Sequence, residues 1–500
     1  MRQLTGADEM WFSLEATNTP MHITDVHIYD PSTAPGGKVT REQIVDFIKP
    51  RLDQLFMRER RVPVPFGLDY SYWAEDPVFD FNHHIRSITL PAPGNWRQFC
   101  ETVEAIIEKP LDLNRPLWEM HIIDGLSDIE GFPKGCFAIV HKKHHGQFDG
   151  SSATYLKSTL HTLEPDAKVE APQAKKAQTP ERIPSQIELA YRTYWQSMVR
   201  PMVVSSFFFR TLPTLPKALQ AVSKDSENMM KRARTRFSGT IPSPRRIIDG
   251  KAYPFDEIQK FRKYVPGATI NDVVLTIYSG ALRRYLQQHG ELPTEQLKAL
   301  TPISVRKEEE KDIGGNKVFS MTPNMHVEVG DPVERMKKVH DAAKHSKDFT
   351  AAIGGRAMCE MLEIAPLTLI DSAIKATVGV KAADFVTAVH SGVGVSNVPG
   401  SRVPLYFCGA KQLQCYSWGF LMDGMGLLLV ASSYASDITF TVVSCPEMMP
   451  DSDFFMKCME ESYNELKSML EPSSEPVAEK TQETTGAPAK KAAKGSARQS

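Results

Sequence analysis

The stretch His144-His145-Gly146-Gln147-Phe148-Asp149-Gly150 follows a short β-prone segment, Cys136-Phe137-Ala138-Ile139-Val140, and precedes a helix-compatible one, Ser151 to Leu163. That order places two adjacent imidazoles at a strand-to-helix junction, where a rigid element fixes a side chain while the following loop leaves room for a ligand. Imidazole titrates near neutrality, so a buried pair followed by a Gly-bounded turn with a carboxylate suits general-base chemistry. Asp149 has two readings: a cap for backbone N–H groups where the helix opens, or a partner for a distant arginine that braces the loop. For the histidines the alternative is a pair of satisfied core side chains. His83-His84 in FNHHIRS lacks the downstream Asp-Gly and reads as structural.

Outward from this run, the 500-residue chain is long enough for two to three domains with sizeable cores. Its 59 basic and 60 acidic residues give a formal charge of -1, so no global field favours nucleic acid. The seven cysteines, at 100, 136, 359, 408, 415, 445 and 458, show no CxxC or other metal spacing, which fits a reduced intracellular protein without a metal. The opening MRQLTGADEMW carries early charges and lacks the apolar core of a secretory signal. No uncharged run reaches the roughly 20 apolar residues of a spanning helix, so any membrane association is peripheral. Pro201 to Arg210, aromatic through Phe207-Phe208-Phe209 and attended by Arg200 and Lys217, suits a helix among lipid headgroups. It suits a packing helix between domains equally well.

Organisation along the chain supports two halves. The first, 1–165, mixes strand and helix signals, including HITDVHIYD near its start. A Pro, Ala and charge-rich crossover opens the connector 166–241, which continues as helix. The second half, 242–470, holds a long amphipathic candidate from Asn271 to His289, and 471–500 has the composition of a disordered tail.

The chain has no H-E-x-x-H, P-loop, dinucleotide glycine fingerprint or G-x-S-x-G, so metalloprotease, kinase, Rossmann and serine-esterase chemistries lack their essential parts. What accompanies the histidine run is Pro116-Leu117-Trp118 within NRPLWEMHIIDGL, Asn271-Asp272 within GATINDVVL, Ser396-Asn397-Val398-Pro399-Gly400, and NTPMH at Asn18 to His22. With the HHxxxDG pattern of 144–150, these resemble the bacterial wax ester synthase/diacylglycerol acyltransferase family, within the HHxxxDG superfamily of CoA-dependent acyltransferases. The resemblance spans about residues 4 to 470.

It implies an α/β (α+β) fold of two chloramphenicol acetyltransferase-like domains with mixed sheets, meeting along a central tunnel with the histidine run at its midpoint. It implies an acyl-CoA donor, a fatty alcohol or diacylglycerol acceptor, no cofactor, and a cytoplasmic enzyme attached peripherally to the inner membrane or to lipid droplets. His145 is then the general base, taking the alcohol proton and returning it to the departing CoA thiolate. Successive strand side chains point to opposite faces, so His144 orients its neighbour or packs behind it. Asn271 reads from sequence as the N-cap of the helix it opens; the resemblance adds the role of a donor to the oxyanion. Asp272 orders that helix terminus. Arg306 is the implied partner of Asp149, Gly150 closes the motif turn, and Trp118 is a core or tunnel-wall ring. Ser396 and Asn397 lie on a strand end placed beside the tunnel. Two other readings stay open: a condensation enzyme using another acceptor or a carrier-bound donor, and a lipid-droplet coat protein that has kept the fold without catalysis.

Overall fold

A computed structural model describes residues 1–52, 56–148, 150–166, 184–230, 232–304, 318–368, 370, 372 and 391–470. Two six-stranded sheets dominate it. In the first, the strand Cys136–His144 lies between His22–Asp30 and Trp118–Leu126, antiparallel to both, and Ile85–Thr89 closes one edge in parallel with Trp118–Leu126. The other edge is built from the far end of the chain: Ala410–Trp418 pairs with His22–Asp30, and Tyr406–Phe407 pairs with Ala410–Trp418. Residues assigned by sequence to the second half therefore complete the first sheet. The second sheet runs Val318–Met321, Ala299–Ser304, Val393–Val398, Leu427–Tyr434, Asp437–Ser444, Ile247–Pro254, with parallel pairing only on the two sides of Val393–Val398. A small sheet joins Arg2–Gln3, Tyr72–Glu75 and Glu59–Val62.

Cys136–His144 is buried at every position. Its first half is apolar, as expected of a central strand covered on both faces. Its second half, His141-Lys142-Lys143-His144, stays extended because each lysine finds partners inside. Lys142 Nζ donates to the carbonyls of Ile106 (3.0 Å) and Lys109 (2.7 Å), satisfying the last turn of the helix Trp96–Ile107, and lies 3.3 Å from Glu119. On the opposite face Lys143 donates to Asp25 at 2.6 Å. Asp25 also accepts from Ser417 (2.6 Å) and faces Lys157 (3.5 Å) of the helix Gly150–Leu160. Lone charges at these depths would cost several kcal/mol each, so the partners are a condition of the strand's burial.

One core runs through both halves, taking Val26, Phe99 and Val140 from the first and Ile248, Tyr278 and Phe440 from the second. Trp96–Ile107 also covers the exposed edge of the second sheet, with Glu104 accepting from the Ile248 N–H and Glu108 from that of Arg246, both at 3.0 Å. Inside the second half, Ile270–Gln288 is buried on most sides, and the Tyr278 hydroxyl donates to the Val430 carbonyl. The connector forms two helices, Gln186–Thr211 and Leu215–Met230. The crossover at 167–183 and the tail at 471–500 lie outside the described residues.

Candidate active site

The strand ladder reaches one residue past His144: the His145 N–H donates to the Met21 carbonyl at 2.8 Å, and the chain then turns. His144 is fully buried, and both ring nitrogens are engaged. Its Nδ1 accepts from the Gly146 N–H (3.0 Å), which leaves the proton on Nε2, donated to the Glu15 carboxylate at 2.9 Å. The ring stacks on Phe12 at 4.3 Å and 8°, and the guanidinium of Arg61 lies 4.4 Å from the centroid of the Phe12 ring. Arg61 is held in turn by Glu9 and Ser71. Phe12 leaves no room for a side chain at 146: a Cβ there would lie 2.6 Å from its ring and 3.0 Å from the Asp8 carbonyl. The stack thus fixes the backbone on which His145 sits.

His145, half-buried, packs against a pair of rings, Trp11 at 4.0 Å and Phe420 at 5.5 Å, which are themselves 5.0 Å apart, so that the three form a triangle. Trp11 and Phe12 come from the helix Gly6–Leu14, set by a capping box between Thr5 and Asp8. Phe420 follows the crossing strand Ala410–Trp418, so both halves of the chain build the surroundings of this imidazole. Gln147 ties the turn down, accepting from the Leu117 N–H at 3.2 Å and donating to the carbonyls of Phe56 (3.1 Å) and Glu59 (3.3 Å). Sequence reading missed Trp11, Phe12, Glu15, Gln147 and Phe420. Only Glu15, an acid just ahead of NTPMH and outside a helix, offered a local signal.

Gly150 is the first residue of the helix Gly150–Leu160, and Asp149 and Arg306 lie outside the described residues. Asn271 does not cap its helix. The helix starts at Ile270 with Thr269 as N-cap, in a capping box with Asp272, because a threonine one turn before an acid satisfies both ends of the box. Asn271 sits half-buried in the first turn. Asp272, buried, accepts from the Thr269 N–H (2.7 Å) and hydroxyl (2.8 Å) and from His340 Nδ1 (2.9 Å). Ser396 and Asn397, half-buried, pair with Val430 and Ala431 in the second sheet. Just before them, Gly392 has φ +88°, and a Cβ there would meet the Phe237 backbone at 2.5 Å.

Trp118 is 2% exposed and belongs to the core between the first sheet and its covering helices. Its indole N–H donates to the Met57 carbonyl at 2.7 Å, and His84 stacks on it at 4.5 Å. Of the two places read for it, core or tunnel wall, the ring occupies a buried one with almost no accessible surface. His84 Nδ1 donates to the Trp118 carbonyl at 2.8 Å, and burial pushes that imidazole down to about 4.

The wax ester synthase/diacylglycerol acyltransferase catalytic-domain model matches residues 4–274, and the C-terminal domain model of the same family matches 314–467. The chain belongs to this family. It is accordingly an acyl-CoA-dependent O-acyltransferase. A Mycobacterium tuberculosis relative named as a diacylglycerol O-acyltransferase is 28% identical over 479 residues, covering 93% of this chain and 99% of its own. Among solved structures, the wax ester synthase/diacylglycerol acyltransferase from Marinobacter aquaeolei VT8 superposes with a TM-score of 0.63 at 24% identity, covering 93% of this chain and 99% of that one. The starter condensation domain of rhizomide synthetase, solved with C8-CoA, superposes with a TM-score of 0.56 at 12% identity, covering 93% and 94%. Both likenesses establish the fold, the paired mixed sheets of the wax ester synthase and condensation-domain architecture.

Proposed function

We propose that this wax ester synthase/diacylglycerol acyltransferase family member moves a long-chain acyl group from acyl-CoA to the hydroxyl of a fatty alcohol or a diacylglycerol, with His145 as general base. The observation that carries the reading is the division of labour in the histidine pair. Both ring nitrogens of His144 are committed to Gly146 and Glu15, so the motif imidazole for proton transfer is His145, set against the touching rings of Trp11 and Phe420, an aromatic surface suited to apolar substrates.

The alcohol proton passes to the imidazole as oxygen attacks the thioester carbonyl carbon. The C–O bond forms, negative charge collects on the carbonyl oxygen, and collapse breaks the C–S bond. The imidazolium then returns its proton to the CoA thiolate, which makes an acyl-enzyme unnecessary. Asn271 is the proposed donor to the oxyanion, and Asp149 with Arg306 the proposed brace of the motif loop. Acyl-CoA is substrate, and no cofactor enters the scheme.

Such substrates partition into lipid. Among the described residues no helix is long and apolar enough to cross a membrane. The helix Gln186–Thr211 exposes Met198, Met202, Phe208 and Phe209 beside Arg210, a pattern suited to peripheral attachment at the inner membrane or a lipid droplet.

The test is CoA release and ester formation from palmitoyl-CoA with hexadecanol or a diacylglycerol, for wild type and His145→Ala. The variant is expected to lose at least about 10²-fold in rate with an unchanged thermal midpoint. An undiminished rate would overturn the assignment of the base.

A further inference from the structure

The helix Phe255–Phe261 and the turn that follows it border a surface cavity of about 590 Å³, remote in sequence from the histidine run. Lys260, Arg262 and Lys263 line it, with Asp256 the one carboxylate in the wall. Asp256 is already taken by Lys260 at 3.0 Å. Arg262 spends only its Nε, on the Ala268 carbonyl at 3.0 Å, which fixes the guanidinium at the cavity's rim. Among the described residues no carboxylate pairs with Arg262 or Lys263, and both are exposed. In a chain with a formal charge of -1, this is a local excess of positive charge with a shape attached.

Its position bears on the site. The cavity wall continues through Gly267 and Ala268 into Thr269-Ile270-Asn271-Asp272. Behind Gly267 stands His340, Nε2 toward the glycine and Nδ1 donating to Asp272. The cavity wall and the first turn carrying Asn271 are thus joined through the chain 267–272, with His340 close to the glycine and hydrogen-bonded to Asp272. Gly267 has φ +85°, a backbone state that disfavours any side chain and keeps the wall bare.

We propose that this cavity holds the phosphate-bearing adenosine head of acyl-CoA, with Arg262 and Lys263 on its phosphates, so that the pantetheine arm runs along residues 267–271 toward the acyl-transfer site. The proposal rests on the reading of acyl-CoA as donor and adds where its head docks. A bare phosphate ester is the chemistry these cations recognise, Arg262 by its fork and Lys263 as a point charge. The Arg262 stem is pre-positioned by its bond to Ala268, so little order is lost on binding.

The test compares two donors, palmitoyl-CoA and S-palmitoyl-pantetheine, the second lacking the phosphates and adenosine. Arg262→Glu/Lys263→Glu is expected to raise KM for palmitoyl-CoA roughly tenfold, to reverse the sign of its dependence on ionic strength, and to leave KM for the pantetheine thioester unchanged. Arg262→Lys, which keeps the charge and drops the fork and the Ala268 contact, separates charge from loop disruption: its KM for palmitoyl-CoA should lie between those of wild type and the double variant, with KM for the pantetheine thioester unmoved. Equal KM values for palmitoyl-CoA in wild type and double variant overturn the proposal while turnover leaves the donor reading standing. Equal losses with both donors, or loss of phosphatidylglycerol vesicle binding without a change in donor KM, also overturn it, the latter assigning the cations to lipid headgroups. If wild type turns over neither donor, the donor reading fails; calorimetry with adenosine 3′,5′-bisphosphate then decides the site alone, and identical heats for wild type and double variant overturn it.

Discussion

Glu15 governs His144 across 129 positions of sequence. With its carboxylate in place, Nε2 carries the proton and Nδ1 is free to accept from Gly146; without it, the tautomer that would turn an N–H against the Gly146 N–H becomes competitive. Glu15→Ala is expected to lower kcat about 10-fold or more, with little change in KM for acyl-CoA, since a charge-assisted hydrogen bond of about 1.5–3 kcal/mol is removed behind the base. Glu15→Gln, which keeps an acceptor, should retain most of the rate. Wild-type kcat in Glu15→Ala would sink the idea. The sequence declares the histidines because they are adjacent in a short motif. It hides Phe420, and leaves Glu15 unjoined to the motif despite its place ahead of NTPMH, because those relations are made by the packing of distant segments, which periodicity does not encode.

At the scale of elements, the helix Gly150–Leu160 is held to the first sheet through polar groups under cover. His27, His141 and His161 gather there, with ring centroids 6.1 Å apart for His27 and His141 and 5.3 Å for His27 and His161; Tyr29 joins His161 at 2.8 Å. Burial pushes all three imidazoles below their usual range, His141 to about 3 and His161 to about 4. Lys143 and Lys157 reinforce this for His141. Burial would raise the Asp25 carboxyl, yet the same two lysines hold it well below the usual carboxylate range. The native state keeps these histidines neutral while the unfolded chain protonates near about 6.5. Their contribution is therefore intact above about pH 6.5 and is lost as pH falls from there toward about 4, with Asp25 adding a loss of the same sign at lower pH. A thermal-midpoint scan from about pH 7.5 to 4.5 should show a steep decline below 6.5, shallower in His141→Phe. A flat profile would refute it. The strand itself was partly legible, its apolar half from Cys136 to Val140. Lys142-Lys143 gave no sign of burial, because sequence shows two charges and not the helix terminus and carboxylate that receive them.

For the whole molecule, the decisive fact is interlock. Ala410–Trp418 lies in the first sheet, the Trp418 indole donates to the Asp249 carbonyl at 3.2 Å, and Arg246 reaches back to the Asn18 carbonyl at 2.6 Å. Composition placed a boundary near residue 242, and the resemblance supplied the paired architecture. Neither indicated which sheet a given β-prone run would join, since a strand's partner is chosen by the edge it meets. Residues 1–241 alone are expected to lack a cooperative unfolding transition and to associate, whereas co-expression with 242–470 should restore a soluble, active complex. A monomeric, cooperatively folded 1–241 would contradict the interlock.

The crossing strand also sets a clock on biosynthesis. Until Trp418 has left the ribosome, His22–Asp30 has no neighbour on one side, and its backbone donors and acceptors are an open template for any extended chain nearby. The 387 residues between Asp30 and Trp418 are made before that template closes. The nascent protein thus spends most of its synthesis in the state most prone to aggregate, and its yield in a cell depends on how well chaperones shield a single β-edge during translation.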